Sequence, residues 1–455
     1  MGTSTSRLWA TRGFPRLWIA QVVSAFGDWI GFLAIIEVAR RIGGDQPGSS
    51  IALVMTARVL PGFFLASVGG VIVDRLNRKH LLISCDIVRA GVLLTIPFID
   101  RVWALVVASL VLELATSLWG PAKEAIVPNI VPTQQLTAAN SLSLVAAYGT
   151  FPAAALAFIG LAKVGEFMGG DAVGQVELAL VVDSVTFLVA AALIASLPIR
   201  ARSKAERQAS KGRIDLSSGI HELREGWSFI ALSPQVRAVL VGMGTGMIGG
   251  GMLIPLGAVF NDEVLGAGNA GFGTILVALG MGVALGVATL SLIQGRLDKE
   301  HGFVAATLGA GVSLLFAVTS SNTWLTLGGV VVLGVCAGAV YVLGFTLLHE
   351  HVEDELRGRV FSALYTLVRF CLLVAIAFGG FLSDGFNWLF GVLFDGEVGV
   401  GPYVMELPGV RGALWLAGLL VLGAGGLAGY ALRGSPKGAA SPSGNPSKGP
   451  SEDAS

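Results

Sequence analysis

Residues 69–82 read GGVIVDRLNRKHLL and form the polar turn between two long apolar segments. Those segments, at about 50–73 and 80–99, are each long enough to cross a bilayer, which takes roughly 20 mostly apolar residues. Between them, Asp74 is followed by three basic residues, which favour water and lipid headgroups over hydrocarbon. We therefore expect a short loop at the membrane surface that joins two spanning helices.

Ten more apolar segments flank this pair, which predicts an all-α membrane protein with twelve transmembrane helices. They lie at about 17–39, 102–120, 136–161, 176–198, 236–260, 271–294, 303–321, 324–348, 360–383 and 410–432. The composition agrees, because only 13% of the residues are charged and 54% are hydrophobic, whereas soluble domains carry about 25% charged residues. The 63 glycines suit close packing of helices in lipid. Segment 384–409, apolar in its first third, is a candidate membrane-dipping segment.

Polar segments divide the chain into five parts. We expect a cytoplasmic N-terminus (1–16), a six-helix bundle (17–198), a cytoplasmic linker (199–235), a second six-helix bundle (236–432) and a tail (433–455). In the linker, a basic cluster is followed by apolar residues near helical spacing, which predicts an amphipathic helix on the membrane surface. The tail is rich in Gly, Pro and Ser, so we expect it to be disordered.

Lysine and arginine are distributed unevenly across such a twelve-helix protein. If both termini lie on one side, that side carries 22 of the 30 basic residues and the other side carries five. The other three, Arg58, Arg89 and Arg369, fall within spans. Because cytoplasmic loops carry the excess of Lys and Arg, we expect both termini in the cytoplasm and a multi-pass protein of the cell (inner or plasma) membrane.

Two pairs of similar stretches predict an internal duplication with an offset of 220 to 221 residues. RLNRKH (75–80) follows the second span, and RLDKEH (296–301) follows the eighth. VPTQQLTAANSL (131–142) precedes the fifth span, and VEDELRGRVFSAL (352–364) precedes the eleventh. Both copies keep one orientation, so the pattern predicts two parallel six-helix halves with a cavity between them, which is a transport architecture.

The chain resembles the major facilitator superfamily. Its loop is similar to the superfamily signature G-x-x-x-D-R-x-x-R-K at Gly70, Asp74, Arg75, Arg78 and Lys79. Asn77 stands where the superfamily usually has a second glycine, and Asn also tolerates positive φ. Other stretches resemble the branch of enterobactin-type siderophore exporters and macrolide efflux proteins: FPRLWIAQVVSAFGDWIG (14–31), ARVLPGFFLASVGG (57–70), GPAKEAIVPNIVP (120–132) and DELRGRVFSAL (354–364). The resemblance runs over about 14–432.

The resemblance implies a gate at this loop. In the superfamily the acid that matches Asp74 faces the start of the eleventh helix, which here carries Arg357 and Arg359. A carboxylate is stabilised by a helix N-terminus and by a nearby guanidinium, so the contact would latch the halves together when the cavity opens outward. The alternative is that these charges only anchor the helix end among the headgroups.

Charged residues inside the spans are costly and are therefore functional candidates. The candidates for proton coupling or cavity lining are Asp28, Glu37, Arg58, Glu113, Asp183 and Arg369. Antiparallel packing of the first two helices would bring Arg58 within reach of Asp28 or Glu37. Asp86 and Arg89, three residues apart on one helix, predict a structural ion pair.

Glu113 has no basic residue in its own span and, with Asp28, is the candidate for proton uptake and release. A carboxylate in low dielectric can be neutral in one state and charged in another. The alternative is a purely structural ion-pair network. Weaker candidates for a cavity lining are five aromatic residues, although most aromatics in spans pack or contact lipid: Phe26, Trp29, Tyr148, Tyr341 and Tyr365.

Several classes of function lack their sequence signals. There is no GxxxxGK[ST] motif for an ATP-driven motor, no catalytic cluster at one membrane depth and no metal-ligand set around the three cysteines. No basic patch is interleaved with aromatics as nucleic-acid binding would require. We therefore predict no enzyme, no cofactor, no metal and no nucleic-acid partner.

Together the span count, the duplication and the resemblance predict a secondary active transporter. The resemblance implies that it exports an amphipathic small molecule of the drug, macrolide or siderophore class, and the carboxylates inside the spans predict exchange for protons. Its expected partners are the lipid bilayer, the small-molecule substrate and the proton, and we expect a monomer. Two alternatives remain: a lysophospholipid transporter, and a non-transporting membrane sensor or scaffold of the same fold.

Overall fold

The computed structural model describes residues 13–132, 149–167, 174–197, 233–293, 298–352, 354–395, 397–400 and 403–433, with isolated positions at 9, 11, 135, 139, 142, 143 and 145–147. This part of the chain contains twelve long helices. They are α1 (Phe14–Ile42), α2 (Pro47–Arg75), α3 (Arg78–Thr95), α4 (Val102–Ile130), α5 (Phe151–Phe167), α6 (Gly174–Ala195), α7 (Pro234–Phe260), α8 (Gly268–Ile293), α9 (Lys299–Thr319), α10 (Thr323–His351), α11 (Asp354–Phe394) and α12 (Gly409–Arg433).

Short elements complete the description. A 3₁₀ turn, Ile96–Phe98, ends α3, and a π-helical turn, Asn261–Leu265, ends α7. Strands β1 (Glu397–Val400) and β2 (Tyr403–Glu406) form an antiparallel hairpin in which Glu397 pairs with Glu406.

The helices confirm an all-α, multi-pass membrane protein. Among the described residues, eleven helical segments are long and apolar enough to cross a bilayer. Helix α2, with 29 residues, covers the remaining predicted span. Each predicted span overlaps one of the twelve helices. Helices α1, α2 and α7 begin with a proline in their first two positions, where its missing N–H costs no hydrogen bond.

The predicted end of the eleventh span is wrong. Helix α11 does not stop at residue 383 but continues to Phe394, a total of 41 residues. At 1.5 Å per residue it is about 60 Å long, roughly twice the thickness of the hydrocarbon core. It ends at Asp395, whose φ of 52° breaks the helix. Segment 384–409 is therefore the last turns of α11 followed by the hairpin, and not a separate membrane-dipping element.

The predicted fifth span, 136–161, is described in part. A membrane-length helical segment runs over Val145–Phe167. Within it Gly149 and Thr150 form a turn, and the regular helix α5 begins at Phe151. Pro152 follows this turn and has no N–H for a helical hydrogen bond.

The two faces of the protein are named here by what they carry. Because successive helices alternate in direction, the start of α1, the turn between α2 and α3 and the end of α12 lie on one side, the termini face. The turns at 43–46, 99–101, 261–267 and 320–322, together with the hairpin, lie on the other side, the hairpin face.

Buried apolar residues form three clusters that differ in which helices they join. One cluster contains residues of both halves near the hairpin face, including Ile36, Leu256 and Leu414. A second, around Leu82 and Ile126, is confined to α1–α6 near the termini face, and a third, around Phe303 and Leu347, is confined to α7–α12. The halves therefore share a core toward the hairpin face and have separate cores toward the termini face. Helix α2 packs on α11 and α5 packs on α8 between the halves.

The duplicated loops have the same local structure. Asn77 and Asp298, at an offset of 221, cap the N-termini of α3 and α9. Each side chain accepts hydrogen bonds from the backbone N–H groups two and three residues later, which lack intrahelical partners. The His301 ring, 2.9 Å from Asp298, holds the pKa of that carboxyl below its usual value by hydrogen bonding. Asn77 has a φ of −76°, so this position of the loop does not use the positive φ that Asn tolerates.

Two predicted regions lie largely outside the described residues. Of the linker 199–235, only 233–235 are described, as the N-cap and start of α7. Of the tail 433–455, only residue 433 is described, as the end of α12. The predicted amphipathic helix and the predicted disordered tail therefore remain predictions.

Candidate functional site

A cavity of 340 Å³ lies in the first half of the protein, among α1, α2, α3 and α4 and beside Ala147. Helix α1 lines it from Gln21 to Phe32, the middle of the helix. Its charged lining residues are Asp28, Arg58, Arg89 and Glu113, and its aromatic lining residues are Trp29, Phe32 and Trp119. Charges and aromatic rings therefore share one cavity at mid-membrane depth.

Asp28 connects the two arginines of the cavity. Its Oδ1 atom lies 3.5 Å from Arg58 Nη2, and its Oδ2 atom lies 3.5 Å from Arg89 Nη1. Arg89 also forms an ion pair with Asp86 on the same helix. The structure thus places Arg58 beside Asp28, one of the two acids that the sequence allowed, and places Asp86 beside Arg89.

The side chains of these residues differ in how far they are exposed. The side chain of Asp28 is 29% exposed, whereas those of Arg89 and Asp86 are 2% and 0% exposed. The Arg89 guanidinium also lies over the ring of Phe187 at 4.0 Å and the ring of Trp119 at 5.5 Å, within the range of cation–π attraction. Of these three charged residues, Asp28 therefore has the most accessible side chain, whereas Arg89 and Asp86 are buried.

Glu113 stands apart from this chain of ion pairs. Its Oε1 atom accepts a hydrogen bond from the Ser117 hydroxyl at 3.4 Å, one turn along α4. Arg58, from the neighbouring α2, is the arginine that interacts with it most strongly, although the two form no direct ion pair. The sequence could show only that α4 supplies no basic residue of its own.

Asp183 is buried in α6 behind α1. Its carboxylate packs against Gly27 and Gly31, and a Cβ atom at either glycine would overlap it. The Thr186 hydroxyl donates to its backbone oxygen at 2.7 Å and approaches Oδ1 at 3.4 Å. Asp183 is not among the lining residues, contrary to the expectation of a cavity carboxylate. Its charge nevertheless acts on the same site, since Asp28, Arg58 and Arg89 all interact with it.

The charges of this region do not balance. Within the described residues, two carboxylates and two guanidinium groups line the cavity, and two further carboxylates, Asp86 and Asp183, are buried beside it. If every group were ionised, the region would carry two negative charges in excess. Uncompensated charge in the interior of a membrane protein is costly.

The other candidate charges lie elsewhere. Glu37 pairs with Arg40 at 2.8 Å and with Arg41 at 3.0 Å near the hairpin face, and not with Arg58. Arg40 reaches across to Asp262 of the second half at 2.6 Å. Arg369 is exposed on α11 and is not a lining residue of the cavity.

Of the three aromatic candidates whose side chains the structure describes, only Trp29 lines the cavity. Phe26 packs against the shared core, and Tyr341 is exposed with its ring 4.6 Å from that of Phe345. Tyr148 and the side chain of Tyr365 lie outside the described residues.

The basic residues of the signature loop that the structure describes bind backbone within the first half. Arg78 Nη1 donates to the Ala125 carbonyl at 2.6 Å, and Lys79 Nζ donates to the Leu197 carbonyl at 2.8 Å. Both carbonyls are near helix C-termini, where positive charge is favoured. Other signature positions have side chains outside the described residues: Gly70, Asp74, Arg75, Arg357 and Arg359.

The sequence analysis did not predict the hydrogen bonds that join α1, which lines the cavity, to residues 142–147. Trp18, Gln21 and Trp29 of α1 each donate a side-chain hydrogen bond of 2.9 Å to a backbone carbonyl in 142–147. These carbonyls precede the Gly149–Thr150 turn. Three long polar or indole side chains on one face of α1, at Trp18, Gln21 and Trp29, were the available signal.

The sequence profile of the family described as "Transmembrane secretion effector" matches residues 4–388. The chain belongs to that family. Its relatives are transporters of the major facilitator superfamily, which confirms the resemblance seen in the signature loop.

Curated relatives of this chain align with it over part of their length. It is 25% identical over 253 residues to the uncharacterized MFS-type transporter YkuC of Bacillus subtilis (strain 168), covering 54% of this chain and 56% of YkuC. It is 30% identical over 179 residues to macrolide efflux protein A of Streptococcus pyogenes, covering 37% of this chain and 43% of that protein. The alignments thus span about half or less of these relatives.

Solved structures show the same fold over nearly the whole chain. A bacterial homolog of the human lysosomal transporter Spinster, in an inward-facing and unoccupied conformation, has a TM-score of 0.68 at 17% identity and covers 92% of this chain and 97% of its own. The nucleoside transporter NupG has a TM-score of 0.62 at 11% identity, with 92% and 99% covered. At these identities the likeness establishes the fold alone.

Proposed function

We propose that this protein exports an amphipathic small molecule of the drug, macrolide or siderophore class in exchange for protons. The observation that carries the proposal is the pair of carboxylates, Asp28 and Glu113, in one cavity with Arg58 and Arg89, with two more carboxylates, Asp86 and Asp183, buried beside it. A proton or a cationic group on the substrate removes the same excess charge, so the two compete for one site. Such competition is what couples efflux of one to influx of the other.

The proposal assigns different roles to two carboxylates, one in substrate binding and one in proton transfer. Asp28, held between two arginines, is the exposed carboxylate at which a polar or cationic group of the substrate binds. Glu113, which lacks a direct ion pair, takes up and releases the proton. Trp29, Phe32 and Trp119 supply the apolar surface that an amphipathic molecule needs.

In the described state the hairpin face is closed. The halves share a core toward that face and have separate cores toward the termini face. We infer from the uneven distribution of Lys and Arg that the termini face is cytoplasmic. In this state the transporter would load its substrate from the cytoplasm. The similarity to macrolide efflux protein A supports the same direction and substrate class.

Transport into vesicles with an imposed pH gradient tests the proposal. The purified protein is assayed with a cationic dye, a macrolide, a siderophore and a lysophospholipid. We expect Glu113→Gln to lose at least about tenfold of proton-driven flux, equivalent to about 1.4 kcal/mol, while still binding substrate. Asp28→Asn should weaken substrate binding itself.

Asp100→Asn is the matched control, because the Asp100 side chain is 89% exposed at the hairpin face. Full proton-driven flux in Glu113→Gln would remove Glu113 from the coupling scheme. Flux of the lysophospholipid alone would replace the proposed substrate class with a lipid, and no flux of any probe would favour a sensor or scaffold.

A further inference from the structure

Helices α2 and α11 come from different halves, run antiparallel and meet at the hairpin face. There the Asp384 carboxylate of α11 accepts a hydrogen bond from the Ser49 backbone N–H at 3.0 Å and a second from the Ser49 hydroxyl. Ser49 is the third residue of α2, so its N–H has no partner within the helix. A carboxylate of one half therefore binds the positive end of a helix in the other half.

Two glycines allow this contact. Gly48 of α2 and Gly380 of α11 bring their backbones together, and a Cβ atom on Gly380 would overlap the Gly48 carbonyl oxygen. A Cβ atom on Gly48 would lie 3.0 Å from Asp384 Oδ1 and 2.9 Å from the Gly380 oxygen. Any side chain at either position would push the two helices apart and withdraw Asp384 from Ser49.

A second contact, an ion pair, joins the halves at the same face, but it stabilises the closed face less. Arg40 binds Asp262 at 2.6 Å, yet the Asp262 side chain is 49% exposed. Exposed ion pairs contribute little because water and salt screen them. Asp384 is partly buried and holds two directed hydrogen bonds to one residue, so it is the stronger of the two links.

We propose that Asp384 and the Ser49 end of α2 form the gate of the hairpin face. In the closed state described here, the carboxylate holds the face shut, and opening that face to release substrate requires the contact to break. The proposal needs only the transporter fold with two halves that separate at alternate faces. It does not depend on the substrate or the coupling ion proposed above.

Distances between spin labels on the two halves test the gate. Labels at Asp45 and Ala267 report on the hairpin face, and labels at His80 and His301 report on the termini face; all four positions are exposed. The background lacks the native cysteines Cys85, Cys336 and Cys371. The full-length protein is measured in nanodiscs by double electron–electron resonance.

We expect Asp384→Ala to raise the population with a long hairpin-face distance at least threefold and to lower the population with a long termini-face distance. Ser49→Ala, which keeps the backbone N–H, should shift both populations in the same direction but less. Gly380→Ala should also open the hairpin face, because the added methyl group pushes the two helices apart although residue 384 is still aspartate.

Two substitutions serve as controls, and neither should move either distance. Gly385→Ala adds a methyl group to the same helix where nothing lies within 4 Å, and Asp100→Asn removes an exposed charge at the same face. Unchanged distances in Asp384→Ala, in protein with a wild-type melting temperature, would overturn the gate even if transport were impaired. A shift in Gly380→Ala alone would overturn it too, because closure would then depend on backbone packing and not on the carboxylate.

Discussion

At the scale of single residues, Arg89 joins three helices of the first half. It binds Asp86, lies 3.5 Å from Asp28 and covers the ring of Phe187. Asp86 is fully buried and depends on this one guanidinium for its charge compensation. The spacing of Asp86 and Arg89 on one helix predicted their pairing. The contacts to Phe187 and Asp28 come from other helices, and no local pattern contains them.

We expect Arg89→Met to destabilise the protein strongly, because it leaves Asp86 buried without a partner. Removing one member of a buried ion pair costs about 3 to 5 kcal/mol. Replacing both members with apolar residues of similar volume is often close to neutral. The double variant Asp86→Leu/Arg89→Met should therefore melt at a higher temperature than Arg89→Met alone.

Thermal unfolding in detergent, followed by tryptophan fluorescence, makes this comparison directly. Arg89→Lys should fall in between, since an ammonium group keeps the charge but lacks the planar fork and the ring stacking of a guanidinium. Equal melting temperatures for the single and the double variant would show that the ion pair is not what Arg89 contributes.

At the scale of helices, glycine decides how closely pairs approach. Helices α8 and α10 touch through Gly282 and Gly334, and a Cβ atom on either would lie 2.9 Å from the Cα atom of the other. Gly286 and Gly338, one turn further along, contact the facing backbone in the same way. The glycine content predicted close packing in lipid. It did not predict which glycines form the contact, because many others on these helices face open space or side chains.

Gly334→Ala should destabilise the second half, because the added methyl group forces the α8 and α10 backbones apart. Overpacking of this kind costs about 1 to 3 kcal/mol. Gly328→Ala, six residues earlier on α10 with nothing within 4 Å, should be neutral or slightly stabilising, since alanine has the higher helix propensity. Melting temperatures of the two variants provide the measurement, and equal values would mean that the helices relax without cost.

At the scale of the whole molecule, the sequence predicted the helix number, the duplicated halves and the superfamily, because hydropathy and repeated motifs extend over the entire chain. It missed the turn at Gly149–Thr150, the extension of α11 to Phe394 and the hairpin after it, since each depends on local backbone geometry that hydropathy does not report. It also placed Asp183 in the cavity. The position of a residue within a span gives its depth in the membrane, but it does not show which face of the helix lines the cavity.

Because α2 and α11 run antiparallel, the same two helices can form one contact at each face of the protein. Asp384 binds the N-terminal turn of α2 at the hairpin face, and Asp74 stands at the opposite end of α2, where the signature loop predicts a contact with the N-terminus of α11. Ser49 and Asp74 are 25 positions apart, about 37 Å along a helix. Two halves that rock about their centre cannot hold both contacts at once. Each contact should therefore stabilise the state that the other excludes.

The two contacts should then have opposite effects in one measurement. Asp74→Asn should increase the population that is closed at the hairpin face, and Asp384→Asn should increase the population that is open there. The double variant should return toward the wild-type distribution, because each substitution removes stabilisation from a different state. Spin-label distances at both faces, with Asp100→Asn as the control, test all three variants. If both single variants moved the populations in the same direction, the two ends of α2 would not be opposing gates, and the helix pair would only hold the halves together.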